Sequence, residues 1–258
     1  MKKTTQKALM LLMAATLFTA NSYAQDDDEF EFESEPTVSL SAGFDIVSDN
    51  LWRGIKLNDG FTIRPDVLFE AGGFFAEFTG ASNFDSDYKE FNISLGYGIG
   101  PVSFYITDYW SNENCHAQKN SYTEWRAHYT PHILEASIDF AADFGLDASM
   151  NLMFYGNDKK EDEDGYIKNN YSTYLEIGYT GTIGEVDIRP FIGSVFNSTE
   201  MYGDFSGEHE GFNVVNLGFT STYTIKVGEK IKVPVFASFV YNPQADDAYV
   251  TGGIRLGF

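Results

Sequence analysis

The sequence predicts an all-β protein, a transmembrane antiparallel β-barrel with twelve strands. Three observations predict it. Apolar and polar residues alternate with a period of two from Thr37 onward, which is the pattern of strands with two different faces. After residue 24 no apolar run reaches the roughly 18 to 20 residues of a transmembrane helix. Short glycine-containing turns alternate along the chain with longer polar loops, as they do in barrels with tight turns at one rim.

Twelve segments carry the alternation. A soluble β-sandwich would alternate too, but its strands are shorter, roughly 5 to 6 residues. In hydrocarbon every backbone N–H and C=O needs a partner, and a closed sheet has no unpaired edge. The pattern therefore favours a closed barrel. The predicted strands are residues 37–53, 60–72, 73–84, 88–98, 101–112, 131–142, 146–157, 168–180, 185–197, 211–226, 230–242 and 247–258.

The first 24 residues have the pattern of a secretory signal peptide. They hold three lysines, an apolar run from Ala8 to Ala20, and a small-residue cleavage pattern at residues 22–24. Seven acids follow within residues 26–35. We expect residues 1–24 to be a cleaved signal peptide, residues 25–36 an acidic periplasmic tail, and residues 37–258 a barrel in the cell outer membrane of a Gram-negative bacterium.

The charge and the cysteine count exclude other classes. The formal charge is -21, and loss of the three leader lysines makes it -24, which argues against nucleic acid as a partner. Cys115 is the single cysteine, so the chain forms no intrachain disulfide.

Residue parity along the strands predicts which charges face the lumen. Ten acids and four bases fall on the polar face, which leaves six net negative charges (ten minus four). Such a lumen favours cations, because low-dielectric walls focus the field. The residues with this parity are Asp45, Asp66, Glu70, Glu77, Glu90, Glu135, Asp139, Asp147, Glu176, Asp187, Arg64, Arg189, Lys232 and Arg255.

An alternative is that these charges form a salt-bridge network that fills the barrel. Eight strands leave an interior filled by side chains and sixteen leave a channel, so twelve strands lie between the two cases. Phe75, Phe191 and Phe236 have the same inward parity and could close a narrow lumen.

One charge breaks the pattern. Asp108 falls on the apolar parity of Val102, Phe104 and Ile106, where a charge facing lipid is costly. A bulge or a position at the rim would resolve the conflict.

Catalytic and metal-binding patterns are weak. A lipid-facing hydrolase needs Ser and His on the outward face near the loop rim, but Ser137 has inward parity and His132 lies at a strand start. Glu124, His128 and His132 are spaced by four, and Cys115 lies nearby, yet Pro131 interrupts the spacing of a zinc site. We predict no enzyme, no metal and no cofactor.

Two segments resemble known families. In the last eight residues, TGGIRLGF, the positions Thr251, Gly253, Leu256 and Phe258 resemble the C-terminal assembly signal of bacterial outer-membrane barrels, with Leu256 where that signal often has an aromatic residue. The segment VSDNLWRGIKLNDG resembles the first strand and loop of the TorF-type porin family in its version from Bacteroides-like bacteria. Its family-like residues are Val47, Ser48, Asp49, Trp52, Arg53 and Gly54.

The resemblance implies an exported outer-membrane barrel. We therefore predict a passive diffusion channel for small solutes with an acidic, cation-preferring lumen, in contact with outer-membrane lipids and the barrel assembly machinery. Two alternatives stay open. One is a closed structural or adhesion barrel that acts through its acidic loops, and the other is a lipid hydrolase-like barrel enzyme.

Overall fold

The computed structural model describes residues 38–112, 121–162, 164–197, 199–202, 211–228 and 231–257. These residues form seventeen β-strands and one short 3-10 helix, η1 (Glu200–Tyr202). The strands are β1 (Val38–Val47), β2 (Asn50–Trp52), β3 (Ile55–Asn58), β4 (Thr62–Ala71), β5 (Phe74–Asn83), β6 (Lys89–Ile99), β7 (Val102–Ser111), β8 (Ile133–Ala141), β9 (Leu146–Gly156), β10 (Lys159–Glu161), β11 (Ile167–Asn169), β12 (Thr173–Tyr179), β13 (Gly181–Ile183), β14 (Val186–Val195), β15 (Asn213–Val227), β16 (Ile231–Asn242) and β17 (Asp247–Gly257).

Twelve of these strands form a closed antiparallel barrel. Each barrel strand pairs with the barrel strands before and after it in the chain; these strands are β1, β4 to β9, β12 and β14 to β17. The short strand β13 follows β12 and also pairs with β14. The ring closes between β1 and β17, where Asp45 lies opposite Arg255. The prediction of a twelve-stranded antiparallel barrel is confirmed.

Two predicted strands are wrong at one end. The first was expected to reach residue 53, but β1 stops at Val47, and β2 pairs with β3 in a separate hairpin. The segment 168–180 was expected to be one strand, but β11 pairs with β10 and β12 starts at Thr173. Both errors have one physical reason: alternation identifies an extended segment but does not specify its partner.

The two faces of the barrel are inverted relative to a soluble protein. Outward-facing Leu95 and Ile106 are 52% and 51% exposed, whereas inward-facing Thr107 and Glu135 are 3% and 1% exposed. An apolar outer band of this extent suits hydrocarbon rather than water. Within the part of the chain that the structure describes, no helix is long and apolar enough to cross a membrane.

The two rims differ. The short-turn rim carries tight connections such as Gly72-Gly73 and Gly100-Pro101, in which Gly72 and Gly100 have φ values of 63° and 58°. The opposite, long-loop rim carries the β2–β3 hairpin, the residues 121–132, the β10–β11 hairpin and η1. The buried apolar cluster lies at this long-loop end and comprises Ile133, Met153, Tyr174, Val195, Tyr202 and Val215.

Candidate functional site

The β2–β3 hairpin, residues 50–58, is the central feature of the lumen, and we call it the plug hairpin. Its two turn residues, Arg53 and Gly54, have positive φ values of 46° and 86°, as a two-residue type I′ turn requires. A Cβ added at Gly54 would lie 1.9 Å from the backbone oxygen of Val215. Glycine therefore allows the tip of the hairpin to touch the wall at β15.

Arg53 fastens the tip to the far wall. Its Nη1 donates to Glu135 Oε2 at 2.6 Å and its Nη2 donates to Oε1 at 2.8 Å, a bidentate ion pair. Glu135 lies on β8, and β4, β5, β6 and β7 separate β8 from the strand that carries the hairpin. The Tyr109 hydroxyl also donates to Glu135, at 3.1 Å. The plug hairpin thus crosses the lumen and is attached on the opposite side.

Burial and the neighbouring negative charge shift the pKa of Arg53 in opposite directions. Burial alone would lower its pKa, but the charge and hydrogen bonds of the Glu135 carboxylate, together with contributions from Tyr202 and Tyr109, outweigh this effect, and the pKa stands well above its ordinary value. The guanidinium therefore stays charged, which preserves the pair with Glu135.

Aromatic rings surround the guanidinium. Its carbon lies 4.7 Å from the ring centroids of both Trp52 and Tyr174, a cation–π distance. Tyr202 of η1 stacks on Trp52 at 5.3 Å and on Tyr174 at 5.5 Å, and its hydroxyl accepts from Arg53 at 2.9 Å. The plug hairpin, η1 and the barrel wall are therefore packed together at the long-loop end of the lumen.

A second cluster joins the first and last strands of the barrel. Asp45 on β1 accepts from Arg64 on β4 and from Arg255 on β17, each at 3.3 Å. Arg255 also donates to Asp66 at 2.9 Å. The charges of two carboxylates and two guanidinium groups thus cancel at the seam where the barrel closes.

A third cluster lies across β9, β12 and β14. Arg189 Nε donates to Asp147 at 3.0 Å, and Arg189 Nη2 donates to Glu176 at 2.9 Å. Tyr174 and Asn216 also donate to Glu176. Much of the inner face is therefore an ion-pair and hydrogen-bond network.

A cavity of about 320 Å³ lies inside the barrel, alongside the plug hairpin. Seven carboxylates and four arginines line it, so seven minus four leaves three net negative charges. Phe75, Phe191 and Phe236 line it as well. The lining residues with charge are Asp45, Asp49, Asp66, Glu77, Glu90, Glu176, Asp187, Arg53, Arg64, Arg189 and Arg255.

Four further lumen candidates, one of which (Asp187) also lines the cavity, make local bonds or lie nearer the barrel ends. Glu70 accepts from the Ser39 hydroxyl at 2.7 Å, and Asp139 accepts from the Tyr105 hydroxyl at 3.0 Å. Asp187 accepts from Thr182 at 2.7 Å. Lys232 is exposed beside the short-turn rim.

The described residues of the predicted C-terminal assembly signal contact the seam between β1 and β17 and the start of the plug hairpin. Thr251 bonds to the Ser48 hydroxyl at 3.2 Å and donates to the Asp49 carbonyl at 3.0 Å, which fixes the chain where it leaves β1 for the plug hairpin. Gly253 lies against the Phe236 ring, and Leu256 pairs with Phe44. Phe258, Cys115, His116 and His209 lie outside the described residues, as do the segments predicted to be a signal peptide (1–24) and an acidic tail (25–36).

The structure reveals a pair between Asp108 and the buried His132 that parity alone did not find. Both oxygens of Asp108 contact His132 Nδ1, at 2.8 and 3.0 Å, and His132 Nε2 lies 2.7 Å from the carbonyl oxygen of Tyr122. Trp125 stacks on the imidazole at 3.9 Å. Asp108 therefore sits near the long-loop rim, paired beneath residues 121–132, and its strand has no bulge there. The only feature of the sequence that pointed to this pair was the charge of Asp108 on an otherwise apolar face.

This pair does not have the geometry of a catalytic dyad. Both ring nitrogens of His132 already face acceptors, so neither is available to accept a proton from a nucleophile. The pair instead fastens residues 121–132 to the outside of the barrel.

The fold and the lumen define a twelve-stranded β-barrel with a charged interior and an internal plug. Among solved structures, a mutant of the Rh. blastica porin is 12% identical, with 86% of this chain and 100% of that chain covered and a TM-score of 0.39. Salmonella typhi OmpF in complex with daunomycin is 8% identical, with 88% and 99% covered and a TM-score of 0.36.

A structure from a study of the in-meso crystallization of membrane proteins is 10% identical, with 85% and 83% of the two chains covered and a TM-score of 0.48. No protein-family model matches the chain, and no curated protein matches it. Since these likenesses are weak, the barrel assignment rests on the strand pairing itself.

Proposed function

We propose that this protein is a bacterial outer-membrane channel for the passive diffusion of small solutes. The observation that carries the proposal is a closed barrel with an apolar exterior and a charged interior cavity. A solvated, charged interior gives polar solutes a path that the hydrocarbon around it denies them.

The plug hairpin makes this channel narrow. Arg53, Trp52 and Tyr202 occupy the long-loop end of the lumen, so solutes must pass beside the hairpin or displace it. We therefore expect a small conductance, well below that of barrels with 16 to 18 strands.

The charge balance supports a preference for cations. Three net negative charges line the cavity, and confined charges of one sign attract ions of the other. We also propose that the chain is a member of the TorF-type porin family. The residues that resemble this family, at positions 47–54, include the tip of the plug hairpin.

The test is single-channel recording of the purified chain in a planar lipid bilayer. We expect small, stable current steps in potassium chloride and, in a salt gradient, a reversal potential of the sign for cations. Heat-modifiable migration on a denaturing gel verifies beforehand that the barrel is folded. Folded protein that passes no current at any voltage, both as wild type and as Arg53→Ala, would overturn the proposal.

The second candidate is a closed barrel that acts through its loops. The packing of Tyr174, Tyr202 and Val215 around the plug hairpin favours it, because this cluster fills one end of the lumen. The recordings separate the candidates, since a closed barrel gives no current even when Arg53 is removed.

A further inference from the structure

We propose that the lumen contains a binding site for a small organic cation with an aromatic or apolar body, formed by Glu77 beside Phe75 and Tyr105. The inference rests on the proposed function and names a class of solute for the same lumen.

Glu77 is a cavity-lining carboxylate that forms no ion pair within the described part of the chain. No hydrogen bond or ion pair reaches it from the described residues, whereas Asp45, Asp66 and Glu176 each pair with an arginine. The positive charge of Arg255 acts on Glu77 from a distance, but the ion pairs of Arg255 are with Asp45 and Asp66. A confined carboxylate gains most from a cation, because low-dielectric surroundings strengthen the attraction.

Aromatic rings lie on the same face of the wall. Phe75 is two residues from Glu77 on β5, and its ring centroid lies 6.0 Å from that of Tyr105. Gly96 makes room for the Phe75 ring, because a Cβ there would lie 2.2 Å from Phe75 Cζ. Both rings line the cavity together with Glu77.

This combination recognises an ammonium group on an apolar body. The carboxylate supplies the opposite charge, and aromatic faces attract organic cations while they also pack against the solute. Ser94, directly opposite Glu77 on β6, adds a hydroxyl at the same level of the wall.

A bare metal ion fits the site less well. Ca²⁺ and Mg²⁺ require six or more oxygen ligands. Among the described residues, no group of three or more His, Cys, Asp or Glu side chains is arranged to hold a metal ion. The cavity of about 320 Å³ lies at the lower end of the range of roughly 300–1,000 Å³ for ligand pockets, so it suits a cation with a single ring.

The test is calorimetric titration of the folded, full-length chain in detergent with benzyltrimethylammonium. Benzyl alcohol, which has the ring without the charge, is the matched neutral probe. We expect Glu77→Gln to weaken binding of the cation about tenfold or more and to leave benzyl alcohol unaffected.

Glu185→Gln is the matched control variant. Glu185 lies in the turn before β14 and does not line the cavity, so this variant should bind as the wild type does. A second variant, Phe75→Leu, removes the aromatic ring but keeps the negative charge of Glu77. It should weaken binding of the cation several-fold. Heat-modifiable migration shows that each variant is folded.

The outcomes separate this site from the channel. Equal affinity of wild type and Glu77→Gln for the cation, or equal binding of the neutral probe and the cation to the wild type, overturns the site. If the protein passes current but does not bind the cation in a way that depends on Glu77, the proposed channel is supported and the proposed site is rejected. Binding that depends on Glu77 without current supports the site and rejects the channel.

Discussion

Gly54 shows how one residue sets the position of a whole segment. Its φ of 86° is unfavourable for other residues, and its Cα lies so close to Val215 that a Cβ would be 1.9 Å from the carbonyl oxygen. Neither constraint can be relieved by rotating a side chain, since the contact is with backbone. The tip of the plug hairpin can therefore dock only with glycine at this position.

We predict that Gly54→Ala undocks the hairpin tip. The backbone conformation costs about 1–3 kcal/mol for alanine, and the clash adds to it. The expected result is a lower unfolding temperature together with a larger single-channel conductance. Gly184→Ala is the control, because Gly184 has a φ of 66° but nothing within 4 Å of the added Cβ. Equal conductance in the two variants would contradict the docking model.

His132 controls a different segment. Its imidazole joins Asp108 to the Tyr122 carbonyl and is 0% exposed, so it fastens residues 121–132 to the outer wall. We predict that His132→Ala speeds tryptic cleavage after Arg126 by about tenfold or more, because two hydrogen bonds of about 1 kcal/mol each are lost.

An internal control comes from the same digest. Lys160 and Lys168 lie on the β10–β11 hairpin, which makes none of these contacts with His132, so their cleavage rates should stay unchanged. If cleavage after Arg126 also stays at the wild-type rate, residues 121–132 are held by other contacts.

At the scale of elements, one bidentate ion pair attaches the plug hairpin to β8. Arg53→Ala removes a partner of the buried Glu135, a change that typically costs about 3–5 kcal/mol. We predict a clear increase in single-channel conductance, because the hairpin loses its attachment to β8. The double variant Arg53→Glu with Glu135→Arg should return the conductance toward the wild-type value.

Arg126→Ala is the matched control for this experiment. Arg126 is exposed, pairs with Glu124 within residues 121–132, and is not among the residues that line the cavity. An increase in conductance of the same size in this variant would mean that the ion pair with Glu135 is not the attachment.

The strands themselves were largely predictable from the sequence. Alternation depends on each residue and its near neighbours, and it placed ten of the twelve barrel strands within about three residues at either end. It failed at β2 and β11, whose residues alternate as barrel strands do but pair within their own hairpins. Pairing depends on contacts far along the chain, and alternation carries no information about them.

The plug was less predictable for the same reason. The sequence marked Trp52, Arg53 and Gly54 as a distinctive motif, but nothing local indicates that Arg53 meets Glu135, 82 residues away. The Arg-Gly pair is also not among the preferred type I′ sequences, which begin with Asn, Asp or Gly. The bonds from Thr251 to the start of the hairpin likewise join distant parts of the chain.

At the scale of the whole molecule, the outer band must face lipid. We predict that Ile106→Lys, at the middle of β7, lowers the free energy of unfolding in a bilayer by about 2–4 kcal/mol. Ile231→Lys, at the short-turn end of β16, is the matched control and should cost only about 0–1 kcal/mol. Ile106 is 51% and Ile231 56% exposed, so burial within the protein does not distinguish them.

The measurement is denaturant unfolding of both variants in lipid vesicles. Equal losses at the two positions would show that depth in the bilayer does not determine the cost, and the outer band would then not be a membrane-spanning surface.

The seam between β1 and β17 also bears on the order of assembly. Asp45 and Arg255 are 210 residues apart, so their bond forms only when the last strand meets the first. Within the described residues Asp45 also pairs with Arg64, and closure of the ring adds the positive charge of Arg255 beside Asp45 and Asp66. A slip of one residue would turn Arg255 toward lipid, which would leave Asp66 without its arginine and Asp45 with Arg64 alone. Electrostatic balance at the seam thus favours the correct register when the ring closes.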